Sequence, residues 1–122
     1  MAETIRPKKY DLEERTLQFT KEVIGFVGTL PKTLANTEII RQVVRSAGSV
    51  GANYIEANES LGKKDFAMKV KICRKEAKES RYWLCLVEVN EEGTENRRQS
   101  LIAEASELTK IFGAIVEKTK SV

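Results

Sequence analysis

The chain contains no histidine, and that absence removes both the commonest general base and the commonest ligand of transition metals. P-loop, CxxC and GxSxG arrangements are missing as well. No catalytic residue, metal ligand or cofactor is therefore expected. Proline is confined to Pro7 and Pro31, and cysteine to Cys73 and Cys85. Two thiols at that separation on one helix stand roughly 18 Å apart along its axis, too far to bridge each other. Both are expected to be buried thiols, the usual state of free cysteine. No stretch approaches the roughly 18 consecutive apolar residues of a membrane span, and MAETIRPKKY lacks the apolar core of a secretory signal. A cytoplasmic protein without a membrane partner is the expectation.

What the chain does contain is helix-forming sequence in long periods, with little β-branched alternation. Its 122 residues, 41% hydrophobic and 32% charged, suit one soluble domain with a buried core. The net charge is only +3, yet residues 63–81 hold eight Lys/Arg against three Asp/Glu. The basicity is local, and charge sorted this way points to an anionic partner.

Four helices are predicted. The first runs from about Asp11 to Leu30, with Leu12, Thr16, Phe19, Val23, Phe26 and Leu30 in one stripe, Ile24 and Val27 widening it, and Pro31 stopping it. The second begins near Thr37 as N-cap and carries Ile39, Val43, Ala47, Val50, Tyr54, Ala57 and Leu61 on one face. Gly48 and Gly51 inside it cost about 1 kcal/mol each relative to alanine. Either another helix approaches closely there, or the segment breaks into two short helices, although the stripe continues in phase across both glycines. The third helix opens at Gly62 and reaches Glu92, closed by Gly93. The fourth spans about Glu95 to Lys118, capped by Thr94, with Leu101, Ala105, Leu108, Phe112 and Ile115 inward and Ile102 and Val116 alongside. Short connections between long helices make an all-α, up-down-up-down four-helix bundle over residues 10–118, with flexible ends at 1–9 and 119–122.

At 100° per residue the third helix divides into three sectors. Phe66, Val70, Cys73, Ala77, Ser80 and Leu84 face the core. Lys64, Lys71, Arg74, Lys78 and Arg81 form a cationic face about 26 Å long, suited to phosphates along a nucleic-acid backbone; the competing reading is a solvated face balanced by intrahelical ion pairs. Among aromatic residues only Tyr82 lies near these charges, so base stacking is not expected and binding should be sequence-tolerant, with duplex or structured RNA preferred over splayed single strands. The third sector holds Met68, Ile72, Trp83 and Leu86, a second apolar face that fits a neighbouring subunit, together with Glu76 and Glu79. Those two carboxylates suit salt bridges to Arg45, Lys75 or Lys78 better than acid–base or metal chemistry. On the second helix Gln42, Arg45, Ser49, Asn53 and Glu56 share a sector opposite the apolar stripe and form either a polar network or a solvated outer face.

The run from Gln42 to Ala57, QVVRSAGSVGANYIEA, resembles the signature of the 23S rRNA intervening-sequence proteins, small bacterial four-helix bundles, and the run from Lys71 to Leu84, KICRKEAKESRYWL, is similar to a common form of their third helix. This chain departs from the pattern at Val44, where a second arginine is usual, at Gly51, where proline is frequent, and at Gly62, where a serine cap is common. The resemblance implies a continuous second helix and assembly as a homopentamer. It extends to the accessory variability determinant of diversity-generating retroelements, a basic pentamer that binds nucleic acid and a reverse transcriptase. A homo-oligomer with RNA or DNA as ligand is thus one expectation, and a scaffold docking an acidic protein partner is the alternative.

Overall fold

In the computed structural model, which describes residues 8–120, every regular element is a helix: α1 (Lys8–Val27), α2 (Leu34–Asn58), α3 (Lys63–Leu86) and α4 (Glu92–Lys120). The expected flexible ends fall on residues 1–7 and 121–122, outside the described residues, and on 8–9 and 119–120, which are instead helical.

The apolar stripes land where the periodicity places them. Phe19, Val23 and Phe26 of α1, Val43, Val50 and Tyr54 of α2, Val70, Cys73 and Leu84 of α3, and Leu101, Leu108 and Phe112 of α4 close one core, with the Tyr54 and Phe112 rings 5.6 Å apart between centroids. Val116 belongs to that core, while Ile102 and Ile115 flank it. Ile24 does not widen the α1 stripe; it is 53% exposed.

Each helix packs on its neighbours in sequence, and α1 also meets α4. Contacts run in opposite order along paired helices. Thr20 bonds the Ala47 carbonyl while Glu13 accepts from Asn58, and Ser46 meets Ser80 while Glu56 meets Lys69. The buried Ser46–Ser80 hydroxyl pair, 2.8 Å apart, lies where small side chains bring α2 and α3 together.

The helix ends depart from expectation, and tertiary partners explain why. α1 stops at Val27, where Thr29 and Leu30 tighten into bonds to Phe26 and Val27 carbonyls, and the Thr29 hydroxyl donates to Phe26 at 2.7 Å. α2 starts at Leu34, not after Thr37, because Thr33 caps the Asn36 amide at 3.1 Å. It ends at Asn58, leaving Leu61 fully exposed rather than in the stripe. α3 opens at Gly62 as expected but ends at Leu86. There the guanidinium of Arg98 donates to the carbonyls of Leu84 (3.5 Å), Cys85 (3.3 Å) and Val87 (2.7 Å), covering the helix end that a glycine was expected to close. Gly93 and Thr94 lie inside α4 instead. Glu95 holds Arg98 in place at 2.6 Å, and bonds from Gln99 and Arg98 lower its carboxyl below the ordinary range.

α2 is continuous through both glycines, and they differ in purpose. A Cβ on Gly51 would stand 3.0 Å from Thr16 Oγ1 and 3.3 Å from Thr16 Cβ, whereas one on Gly48 would meet nothing within 4 Å. Thr16 is buried and its hydroxyl is tied to the Leu12 carbonyl at 2.8 Å, so it cannot turn aside freely. Gly48→Ala should therefore raise stability by about 0.5–1 kcal/mol through helix propensity alone. Gly51→Ala should fall below the parent, because overpacking of about 1–3 kcal/mol outweighs the same gain. Urea unfolding of both variants checks the opposite signs; equal stabilisation would contradict the close α1–α2 approach.

Candidate nucleic-acid interface

The side chains on α3 divide by neighbour. Toward α2 lie Glu76 and Glu79, held by Arg45, whose guanidinium reaches Glu76 at 3.4 Å and Glu79 at 2.5 Å. The bond to Glu79, with the charges of Glu76 and Glu79, pushes the already basic Arg45 further up. Gln42 accepts from Arg45 at 3.4 Å. The expected polar network is thus real around Arg45 but does not extend along the whole sector. Asn53 bonds the Ser49 carbonyl at 2.9 Å, and Glu56 forms a separate pair with Lys69 at 2.8 Å. The spacing is helical, but Arg45 and Glu56 meet α3 at different levels and Asn53 between them turns back on its own helix.

The opposite side of α3 is cationic. Lys64, Lys71 and Lys78 are exposed and make no ion pair or hydrogen bond with any described residue. The carboxylates of α3 that form pairs bond Arg45 or approach Lys75, so the cationic face is not balanced by intrahelical partners. Arg74 and Arg81 lie at the seam with α4. The stem of Arg74 passes over Gly113, its Cδ 3.6 Å from where a Cβ would be, and Arg81 Nε donates to Ser106 at 2.9 Å. Seven residues forward on α3 corresponds to seven back on α4, so the two arginines mark a regular seam.

Between Lys78, Arg81, Tyr82 and Cys85 of α3 and Ser106, Thr109 and Lys110 of α4 lies a groove of about 410 Å³. The contribution of α4 was not anticipated; small polar residues beside the Leu108 and Phe112 stripe were its only trace in the sequence. Cys85 is exposed on this groove rather than buried, because its position on α3 belongs to the cationic sector. Cys73 is in the core, where burial pushes its thiol up to about 12.

The expected second apolar face of α3 is exposed in part. Met68 is 54% and Leu86 48% exposed, while Ile72 and Trp83 are partly buried. Trp83 packs edge-on to Tyr82, centroids 5.1 Å apart at 72°, and its indole Nε1 is buried without a hydrogen-bond partner among the described residues. No group of three His, Cys, Asp or Glu side chains among those residues could hold a metal ion. No described helix is long and apolar enough to cross a membrane.

Comparison with known proteins gives the same fold. A crystal structure of a protein of unknown function from the S23 ribosomal protein family of Bacteroides thetaiotaomicron is 27% identical, with a TM-score of 0.74, over 85% of this chain and 96% of that one. No curated protein sequence matches. The model of the 23S rRNA-intervening sequence protein family matches residues 8–114, from the first turn of α1 into the last turns of α4. With that span matched, and the resemblance of α2 and α3 carried by the same helices, the chain belongs to the 23S rRNA-intervening sequence protein family.

Proposed function

We propose that this protein is a non-enzymatic, cytoplasmic homo-oligomer of up-down-up-down bundles that binds structured RNA or DNA, without sequence preference, along the cationic face of α3. The opposed order of contacts between paired helices supports the topology, and five subunits is the number that the family resemblance implies. The observation that carries the reading is the segregation of charge on α3. Lys64, Lys71 and Lys78 stand exposed on one side, free of ion pairs among the described residues, while Glu76 and Glu79 are engaged by Arg45 on the other. A solvated face of mixed charge would scatter both signs. Phosphate binding needs this arrangement and no reactive group, because cations spaced along a helix displace the counterions of a backbone.

Lys71 and Lys78 are the best probes, since Arg74 also packs on α4 and its loss would mix charge with packing. Lys71→Glu with Lys78→Glu should leave helicity and assembly unchanged. Affinity for duplex RNA and DNA should fall about tenfold or more at moderate salt, and the slope of log affinity against log salt should flatten by about 0.7–0.9 per lost phosphate contact. Filter binding or anisotropy across a salt series measures both. Unchanged affinity, or a parent that binds an acidic protein but neither nucleic acid, would replace this reading with a protein-docking scaffold.

A further inference from the structure

The groove between α3 and α4 differs from the rest of the cationic face, because it has depth and an aromatic wall. Along α3 the lysines at 64 and 71 project into solvent. At Lys78 and Arg81 the surface sinks into a trough of about 410 Å³, within the roughly 300–1,000 Å³ range of small-ligand pockets. It is too small for a stacked duplex and large enough for one nucleotide. The wall is Tyr82, 58% exposed and in edge-on contact with Trp83. Lys78 and Lys110, from different helices, supply its lysine ammonium groups.

Arg81 is prepared in a way the lysines are not. Its Nε is occupied by Ser106 at 2.9 Å, which fixes the guanidinium against α4. Its terminal nitrogens have no partner among the described residues, and a held guanidinium presents them as a fork suited to phosphate oxygens.

We propose that this groove is a subsite for a single unpaired nucleotide, with its base stacked on Tyr82 and its phosphate held by Arg81, Lys78 and Lys110. The inference rests on the nucleic-acid reading above and narrows its ligand. Phosphates of a continuous duplex would follow α3, and a bulged or looped-out nucleotide in that duplex would enter the groove. Structured RNA with an interruption is then preferred over perfect duplex, and Tyr82, which the sequence left without a stacking role, gains one.

Anisotropy titrations with a labelled RNA duplex and the same duplex carrying one bulged nucleotide test this. The parent should bind the bulged RNA about 5- to 150-fold more tightly, the range expected for one base stacked on an aromatic ring. Tyr82→Ala should abolish that preference while leaving affinity for the perfect duplex within about twofold, and Tyr82→Phe should retain the preference, since stacking needs the ring and not the hydroxyl. Equal binding of the two RNAs by the parent would overturn the subsite and leave the cationic face standing, as would a preference that survives in Tyr82→Ala. Failure of the parent to bind either RNA at low salt would overturn both.

Discussion

Asn36→Leu is expected to destabilise the fold by about 2–4 kcal/mol, although it keeps the branched outline of the side chain and removes no charge. Asn36 is buried at the start of α2 and ties it both to the α1–α2 connection and to the segment after α3, which is remote in sequence. Its Nδ2 donates to the Pro31 carbonyl and to the Glu88 carbonyl, each at 3.0 Å, and its Oδ1 accepts from the Glu88 amide at 2.8 Å. The orientation of the amide is fixed by the Glu88 N–H, which can only donate. Leucine fills the space but leaves one backbone amide and two carbonyls without these bonds at a partly buried site, where an unmet polar group costs about 1–3 kcal/mol. Asn36→Asp should be no better, because a carboxylate keeps the acceptor for Glu88 but turns an oxygen toward two carbonyls. Urea midpoints at fixed protein concentration measure the effect. A loss below about 0.5 kcal/mol for Asn36→Leu would mean that water replaces the amide without penalty.

That residue also explains which parts of the fold were legible. The stripe from Leu12 to Phe26 and the stripe from Val43 to Ala57 could be read because burial repeats with the helix, and a core of four helices preserves that period through glycine and serine alike. Helix ends follow no period. α3 was expected to continue to Glu92, since nothing between Val87 and Glu92 forbids a helix as strongly as proline would. Arg98 binds the carbonyls of Leu84, Cys85 and Val87 from another helix, and Asn36 takes Glu88 in an extended segment. Both partners are remote in sequence, so local propensity placed the boundary six residues late.

The candidate site was legible in the same unequal way. Azimuth alone put Lys64, Lys71 and Lys78 together and Glu76 and Glu79 on another sector, but left Arg45, Lys75 and Lys78 all open as partners of those carboxylates; the structure selects Arg45 for both. Azimuth could not show that Glu56 would pair with Lys69 at a different level, because that depends on the register of α2 against α3. Nor could it show that Ser106, Thr109 and Lys110 would make the second wall of a groove. Spacing reveals a face, whereas a cavity needs two elements and their relative position.

Met68→Glu with Leu86→Glu should have the largest functional effect, without touching any cation. The two residues lie about five helical turns apart on one sector of α3 and are half-exposed in the single subunit. There, added carboxylates would remain in water and folding should change little. In the proposed assembly the same carboxylates would be buried without partners against the neighbouring copy, at several kcal/mol each. Native mass spectrometry and light scattering should therefore report monomers for the variant and a closed oligomer for the parent, with equal helicity by circular dichroism. Each monomer would still carry Lys64, Lys71, Arg74, Lys78 and Arg81, so any loss of RNA affinity at equal subunit concentration measures repetition of the cationic face rather than its composition. Linked sites gain about 10²–10⁴ over one site when geometry allows them to engage together, and a fall of that order is expected. A monomeric parent, or a variant that keeps the parent's mass, would remove the α3 apolar face from the assembly. Monomers that bind as tightly as the parent would confine recognition to a single subunit.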